Sequence, residues 1–499
     1  MQVPPGTEQR GLAYWMRRVL AECDKAEREM SPDAVHDLRV ALRRCRSMAK
    51  GLMELDPSPD WRKLRKAGRK LFRHFGELRD SQVMLEWVQK LSPADDPVRQ
   101  TILEILTGRE QQLKESALKA LQQFNRKQWE RFAATLPERA RRVPLDGPIF
   151  QHLALERYNE ASELHGRALR NRSRIAYHRL RIGLKRFRYT IENFLPGRHA
   201  KWGEDLKRLQ DRLGEVHDLD VLWTALRRTG ASFDAAARAR WHEWIDRERQ
   251  SRIEEYRKMT VGTNSLWSVW RAGLPGREQL ESAALAKLAA WASFRDPDFD
   301  QKPHVAERAL QLFDGLGAAG IPGPFKNAQA RRILYAAALL HDVGRAEGKR
   351  GRHKTSLRLI RALPPPLGWS RDDMVLVALL ARYHRGAPPR EDHAPFSALP
   401  APAREIVRYL AGVLRLALAF GRDLDSPVTR LEVKNTPDAI VIEVDDARED
   451  GPLAYQVLRK KWLLELACRR PVIVRFRAVE TAARSVAPER DSTRDAGVV

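Results

Sequence analysis

The amino-acid sequence predicts a mainly α-helical protein, in which a duplicated helical bundle with pseudo-twofold symmetry precedes a second α-helical domain with a small terminal β element. Three observations predict this class. Apolar positions recur at helical spacing through most of segment 1–280, a helical motif occurs twice, and strand-like alternation is confined to a stretch beyond residue 430. A chain of 499 residues with 43% hydrophobic residues can fill several buried cores, which excludes a fully disordered protein.

An internal repeat is the most informative pattern in the sequence. Residues 35–46 read VHDLRVALRRCR and residues 177–188 read YHRLRIGLKRFR, so both match H-x-L-R-x-x-L-[RK]-R-x-R. Further along the chain, the segment GELRDSQV at 76–83 corresponds to GEVHDLDV at 214–221. The two matches occur in the same order and at nearly the same separation along the chain. They predict a duplicated helical unit.

The first segment of each repeat predicts a helix with a basic stripe beside an apolar face. At 100° per residue, four polar side chains of residues 35–46 fall within an arc of about 80°, and apolar side chains occupy the adjoining arc. The stripe of the first repeat is His36, Arg39, Arg43 and Arg46, and its apolar face is Leu38, Leu42, Cys45 and Ala49. The stripe of the second repeat is His178, Arg181, Lys185 and Arg188. Pseudo-twofold packing can bring both stripes to one groove or pore.

The charge of the chain favours an anionic partner. It has 90 Lys and Arg against 65 Asp and Glu, a formal net charge of +25, and residues 1–280 hold 55 of these basic and 38 of these acidic residues. Nucleic acid, an anionic membrane surface and a phosphate polymer are the usual partners of such a surplus. Guanidinium groups bind phosphate oxygens in a planar fork, so a row of them suits a repeating phosphate. The alternative is that the stripes are solvated helix faces and that the two histidines make structural hydrogen bonds.

Nucleic acid is the weaker of the polyanion hypotheses. Proteins that bind single strands without sequence preference usually add aromatic platforms on which bases stack. Aromatic residues are only 7% of this chain. A phosphate polymer therefore fits the stripes better.

The sequence also indicates a cellular compartment. Its three cysteines, Cys23, Cys45 and Cys468, are too widely spaced for a zinc or disulfide framework, which is typical of a reducing compartment. The longest apolar runs are about eight residues, against the ~20 that a membrane-spanning helix needs. The first residues lack the pattern of a signal peptide. We expect a cytoplasmic protein.

Breaks in the helical pattern predict the domain boundaries. These are a first domain at 1–275 with repeats at about 8–142 and 149–260, a linker at 276–284, a second domain at 285–480 and a flexible tail at 481–499. In the second domain, apolar residues alternate at 431–433 and at 440–444 around a turn at 435–438, which predicts a hairpin. A helix near 453–468 and a strand at 472–476 are expected to follow.

A histidine–aspartate pair ends an apolar helix of the second domain. The helix ILYAAALL is followed directly by His341 and Asp342, and His304 opens an earlier helix. Histidine and carboxylate ligands from separate helices can hold a metal ion that activates water for phosphate-ester hydrolysis. The alternative is a capping pair at the end of a buried helix. Basic residues between 345 and 354 form either an anion patch or a charged surface loop.

The duplicated motifs resemble the CHAD family, the conserved histidine α-helical domain. The resemblance covers about residues 8–275 and implies two pseudo-symmetric helical bundles around a basic channel that binds inorganic polyphosphate. It implies that both stripes line the channel: His36, Arg39, Arg43, Arg46, His178, Arg181, Lys185 and Arg188. In the second repeat Lys185 and His217 stand where the family pattern has arginine. It also implies association with polyphosphate granules.

The second domain resembles an HD domain and, more narrowly, the C-terminal domain of the exopolyphosphatase/guanosine pentaphosphatase family, over about residues 285–478. The resemblance implies metal ligands at His304, His341 and Asp342, although Leu418 stands where metal-dependent HD hydrolases usually place an aspartate. The expected function is therefore polyphosphate binding, with the HD-type domain as a degenerate accessory module. The alternative is a metal-dependent phosphohydrolase acting on polyphosphate or nucleotides. On this hypothesis polyphosphate binding needs no cofactor, although the HD-type domain is a candidate site for a divalent metal. Candidate protein partners are other granule proteins and a second copy of this chain.

Overall fold

The structure, a computed structural model, describes residues 11–228, 234–348, 350–420, 430–445 and 452–477. The predicted tail at 481–499 lies outside these residues. The chain divides into two compact units, the first ending at Arg295 with the addition of Pro365–Ser370, and the second formed by the rest. The mainly helical class predicted from the sequence is confirmed. None of the described helices is long and apolar enough to cross a membrane.

Helices make up the first unit. They are α1 (Leu12–Arg28), α2 (Pro32–Leu52), α3 (Pro59–Ala67), α4 (Arg69–Leu91), α5 (Arg99–Gln122), α6 (Arg126–Arg141), α7 (Pro148–Asn171), α8 (Arg174–Phe194), α9 (Pro196–Arg228), α10 (Ala235–Thr260), α11 (Leu266–Ala272) and α12 (Arg277–Ser293). The order confirms the duplication, because α1, α2, α4 and α5 recur as α7, α8, α9 and α10. In each set the first helix packs on the second, the second on the third, and the third on the fourth.

The two stripe-bearing helices begin at equivalent serine caps. Ser31 Oγ accepts a hydrogen bond from the backbone N–H of Ala34 (3.3 Å), and Ser173 Oγ accepts one from Ala176 (3.2 Å). A side-chain oxygen at this position satisfies one of the free N–H groups of the first turn. Since each serine stands equally far before the histidine of its motif, α2 and α8 start in the same register relative to their motifs.

The repeats differ where a glycine interrupts the third helical segment. In the first repeat Gly68 separates α3 from α4, and a Cβ at this glycine would lie 3.3 Å from both Leu42 and Trp129. In the second repeat the equivalent position is Leu206, which is fully buried inside the continuous helix α9. The close approach of Leu42 and Trp129 therefore accounts for glycine in the first repeat.

One hydrophobic core joins both repeats. The predicted apolar face of α2, formed by Leu38, Leu42, Cys45 and Ala49, is fully buried in it. Segment 276–284, where the sequence predicts a linker, is instead the beginning of α12. This helix packs on α7, and Ala283 and Ala284 are buried. Gly276 is its N-cap, and no glycine or proline follows within the segment to end the helix.

The second unit is helical with a small sheet. Its helices are α13 (Lys302–Ala318), α14 (Ala328–Leu340), α15 (Arg352–Ala362), α16 (Arg371–Tyr383), α17 (Ala394–Ser397), α18 (Ala401–Phe420) and α19 (Pro452–Cys468). The strands are β1 (Leu431–Asn435), β2 (Ile440–Asp445) and β3 (Val472–Arg477), in the order β1-β2-β3. β1 pairs antiparallel with β2, as the predicted hairpin requires, and β3 pairs parallel with β2 after α19.

Candidate functional site

The structure brings the middle of the two stripes together. Helix α2 packs against α8, and Arg39 and Arg43 of α2 interact electrostatically with Lys185 of α8, which lies next to Arg181. We call Arg39, Arg43, Arg181 and Lys185 the central cluster. Each repeat contributes two of its members, and these occupy equivalent positions of the repeated motif. The groove inferred from the sequence is thus a place where four cations meet.

The central cluster has no directly bonded counterion in the described part of the chain. Arg39 Nη1, Arg43 Nε and Arg181 Nε are buried nitrogens without a hydrogen-bond partner there. None of the four side chains forms an ion pair or a hydrogen bond with any described residue. A buried donor without a partner costs free energy, and a charged one costs more. The cluster can therefore offer several donors to an anion that supplies several acceptor oxygens.

The pKa of Lys185 reflects its burial among the other cations of the cluster. Burial, together with the charges of Arg181 and Arg43, lowers the pKa of Lys185 to about 7. Burial also lowers the pKa of Arg39 and of Arg181 from its ordinary value. A bound anion would oppose these shifts, because it favours the charged form of each group.

Two carboxylates face the cluster from the third helices of the repeats. Asp80 of α4 and Asp218 of α9 occupy equivalent positions in the second motif, and both interact electrostatically with Arg181 and Lys185. Burial raises the pKa of Asp218 to about 6, although Arg181 opposes the shift. Sequence reasoning identified the motif that contains these aspartates but assigned them no role.

The stripe histidines lie at the margin of the cluster. His36 and His178 are both exposed, and His178 Nδ1 lies 3.3 Å from His217 Nδ1. Burial and then Arg181 lower the pKa of His217 to about 4, and partial burial lowers the pKa of His36 and His178. These histidines are therefore neutral at pH 7 in the free protein, where they can offer hydrogen bonds but no charge.

The last members of the stripes lie outside the central cluster. Arg46 Nη1 donates to the backbone carbonyl of Arg65 (2.6 Å), and its guanidinium lies over Phe72 at 5.0 Å. Arg188 Nε lies 3.8 Å from a carboxylate oxygen of Glu192. The equivalent arginines thus have different surroundings, which the repeat itself does not predict.

The second unit has a polar pocket at its histidine–aspartate pair. The pocket is a cavity of about 440 Å³ that His341, Asp342 and His384 line. His341 Nδ1–H donates to the carbonyl of Ala338 (2.8 Å), and His384 Nδ1–H donates to that of Ala381 (2.7 Å). Each ring is fixed in the tautomer that keeps the lone pair on Nε2 when the ring is neutral. The two rings are 4.9 Å apart.

The residues present do not fit the metal site expected from the sequence. His304 is exposed on the first turn of α13, and Lys302, not His304, lines the pocket. Asp342 pairs with Arg352 Nε at 3.0 Å, so a guanidinium occupies the carboxylate that a cation would need. Leu418 lines the pocket and cannot ligate. Among the described residues, no three His, Cys, Asp or Glu side chains are placed to hold a metal ion.

Comparisons with known proteins agree with this division. The family model of the CHAD domain matches residues 12–227. The chain contains a CHAD domain. The model of the Ppx/GppA phosphatase, domain III, matches residues 295–461, so this second domain follows the CHAD domain. The two domains together indicate a function related to polyphosphate.

Other similarities are weaker. The crystal structure of the CHAD domain from the plant Ricinus communis is 21% identical in sequence and superposes with a TM-score of 0.39. The similarity covers 52% of this chain and 88% of the plant domain. No curated protein is similar enough to this chain to count as a match.

Proposed function

We propose that this chain binds inorganic polyphosphate at the central cluster of its CHAD domain. The observation that carries the proposal is the set of buried guanidinium nitrogens without partners among the described residues, which both repeats direct to one place. Charge-assisted hydrogen bonds from guanidinium to phosphate are among the strongest in proteins. A ligand with several phosphates in a row satisfies all four cations at once.

The aromatic rings near the cluster favour a phosphate polymer over nucleic acid. The Arg43 guanidinium lies over the ring of Tyr189 at 5.1 Å, and those of Arg39 and Arg46 lie over Phe72 at 5.7 and 5.0 Å. Cation–π contacts of this kind occupy the ring faces on which bases stack in single-strand binders. These rings therefore support the arginines and are not free to serve as stacking platforms.

Competition between polyphosphate and RNA tests this function. We expect labelled polyphosphate bound to the full chain to be displaced by unlabelled polyphosphate at a concentration at least about tenfold lower than RNA, both expressed as phosphate and at the same ionic strength. Salt dependence alone does not distinguish the two, because both ligands release counterions. Equal displacement by RNA, or no binding of polyphosphate, contradicts the proposal.

A pair of glycines provides a matched test of the cluster geometry. Gly76 of α4 lies against Arg39, whose Nη1 is 2.7 Å from the place of an added Cβ, whereas a Cβ at the equivalent Gly214 meets no atom within 4 Å. Gly76→Ala is expected to displace the guanidinium and weaken polyphosphate binding about tenfold, the loss of one charge-assisted hydrogen bond. Gly214→Ala is expected to keep the affinity and to raise the unfolding free energy by up to ~1 kcal/mol. Titration and thermal unfolding of both variants measure these effects, and an equal loss of affinity in both contradicts the assigned role of Arg39.

We further propose that the Ppx/GppA domain III is an accessory module that assists binding, and that metal-dependent hydrolysis is not its role. The pairing of Asp342 with Arg352, Leu418 in the pocket and the outward position of His304 support this proposal. We expect the purified chain to carry metal well below one equivalent by elemental analysis. Phosphate release from polyphosphate and nucleotides is expected to stay at background with or without chelator. Stoichiometric metal together with chelator-sensitive turnover establishes the hydrolase instead.

Location at polyphosphate granules in the cytoplasm follows from the same proposal. A protein that holds the polymer through several cations is retained wherever the polymer accumulates. Fluorescent fusions of the full chain are expected to overlap with stained granules. The overlap is expected to disappear in cells that make no polyphosphate.

A further inference from the structure

The crossing of α2 and α8 has two sides that pseudo-symmetry makes comparable. Arg44 of α2 faces Glu192 of α8 on one side, and Arg186 of α8 faces Lys50 of α2 on the other. Alignment of the two repeats on their motif histidines makes Arg44 equivalent to Arg186 and Lys50 equivalent to Glu192. The two contacts are therefore equivalent by pseudo-symmetry, except that the carboxylate of Glu192 on one side corresponds to the ammonium group of Lys50 on the other.

The Glu192 side is closed and neutralised. Glu192 pairs with Arg44, lies 3.8 Å from Arg188 Nε, and has a side chain only 8% exposed. Arg44 Nη1 also donates to Asn193 Oδ1 at 3.0 Å, and the guanidinium lies over the ring of Trp15 at 4.9 Å. These contacts engage Arg44 within the protein, whereas Arg188 has only its 3.8 Å ion pair with Glu192 and its Nε lacks a hydrogen-bond partner among the described residues. The buried carboxylate of Glu192 repels phosphate on this side.

The Lys50 side is open and basic. A cavity of about 220 Å³ lies here, lined by Arg43, Arg46, Lys50, Arg65, Arg157 and Arg186. Two carboxylates pair with the last two: Glu54 with Arg157, and Glu160 with Arg186. The other four cations form no ion pair with a described carboxylate, although Glu54 and Glu160 interact electrostatically with Lys50. Arg157 of α7 is equivalent to Trp15 of α1, so the first helices of the two repeats also differ in charge beside the crossing.

Arg43 connects the cavity to the central cluster. It belongs to the cluster and also lines the cavity. On the closed side its equivalent is Lys185, beyond which lie Arg188 and the carboxylate of Glu192. Of these two sides, only the Lys50 side therefore continues the cluster with a row of cations that form no ion pair with a described carboxylate.

We propose that the binding site is one-sided and recognises the end of a linear phosphate polymer. The terminal phosphates occupy the central cluster, and the rest of the chain leaves through the Lys50 cavity. The Glu192 side blocks an extension in the other direction. This inference rests on the proposed polyphosphate function and adds to it a preference for chain ends over chain interiors.

Linear and cyclic oligophosphates with the same number of phosphates test this preference, because only the linear molecules have ends. We expect the full chain to bind the linear form at least about tenfold more tightly than the cyclic form, the equivalent of one charge-assisted contact. On long polymers, at most two protein molecules are expected per chain, whatever its length, by light scattering of the complexes. A protein count that rises with polymer length, or equal affinity for rings and chains, overturns the proposal and leaves polyphosphate binding itself intact. If neither form binds, the proposed function fails instead.

Two variants at the equivalent positions separate the sides. Lys50→Glu places a carboxylate on the open side and is expected to weaken binding of linear chains about tenfold. Glu192→Gln keeps the shape of the closed side but frees Arg44 and Arg188, and it is expected to reduce the preference for linear over cyclic ligands. Lys50 is exposed, so its substitution is not expected to impair folding. Thermal unfolding of both variants verifies that the fold is retained, and unchanged preferences in folded variants contradict the one-sided site.

Discussion

Reversal of both Arg39 and Arg181 to glutamate is expected to weaken polyphosphate binding by a factor of about 10²–10⁴. Each arginine loses a charge-assisted hydrogen bond worth ~1.5–3 kcal/mol, and each factor of ten in affinity corresponds to ~1.4 kcal/mol. The two residues are equivalent members of the repeats and have buried nitrogens without a partner among the described residues. Isothermal titration at fixed ionic strength measures the change.

The control for this experiment removes the same charge elsewhere on the CHAD-bearing unit. Arg141 and Arg247 are exposed and each pairs with a glutamate on its own helix, Glu138 and Glu243 respectively. Reversal of this pair alters the net charge equally but is expected to change affinity less than about threefold, since exposed ion pairs contribute little. If the control and the cluster variant lose affinity alike, the net charge of the protein and not the cluster governs binding.

Neutral substitutions at the cluster are expected to separate binding from stability. Arg181→Met removes a buried charge that no described carboxylate pairs with directly, and such a charge costs the free protein stability. The variant is therefore expected to unfold at the same or a higher temperature than the wild type in the absence of ligand, while it binds polyphosphate more weakly. A large loss of stability without ligand contradicts the assignment of Arg181 to the ligand.

Polyphosphate affinity is expected to fall about 10- to 100-fold between pH 6 and pH 8, the second large effect. In the free protein the pKa of Lys185 is about 7 and that of Asp218 about 6. A bound polyanion raises both pKa values, so the protein takes up protons on binding. Where such a group is deprotonated in the free protein but protonated in the complex, each further pH unit reduces the affinity by up to tenfold. Titrations across this range at constant ionic strength measure the slope.

Conservative variants assign the protons. Lys185→Arg keeps the charge across the range and is expected to flatten the slope above pH 7, whereas Asp218→Asn is expected to flatten it near pH 6. Ionisation of the ligand's own end groups affects all variants equally, so it cancels in the comparison.

The unfolding free energy of the free protein is expected to rise with pH, whereas the affinity for polyphosphate falls. Because the folded-state pKa of Lys185 is lowered from 10.5, the unfolded chain binds more protons between pH 7 and 10.5, and stability rises with pH there. An unchanged slope in Lys185→Arg contradicts this assignment.

Helical periodicity was sufficient to predict which side chains of α2 and α8 share the basic face. The stripe and the apolar face lie on the same short segment, so a correct helix places both, and burial of Leu38 and Leu42 fixes which way Arg39 and Arg43 point. The second repeat supplied an independent copy of the same pattern. The fold class, the hairpin and the strand after it followed from similarly local signals.

Features that depend on several elements were beyond that reasoning. Position on a helix face does not reveal that Arg46 leaves the cluster to bond Arg65, or that Asp80 approaches it from α4. In the second unit, the first turn of α13 carries both Lys302 and His304, and only the packing of the helix determines that Lys302 enters the pocket. The difference between Lys50 and Glu192 was visible in the sequence, but only if the repeats are aligned beyond the repeated motif.

The fusion of two repeats into one chain has a consequence for how such a site can evolve. In a homodimer with exact twofold symmetry, every substitution appears on both sides of the axis, so a lysine at one end of a groove requires a lysine at the other. A tandem duplication removes this constraint, because each copy mutates alone. Lys50 and Glu192 are then an asymmetry that two identical subunits cannot encode, and the duplicated gene gains a binding site with a beginning and an end.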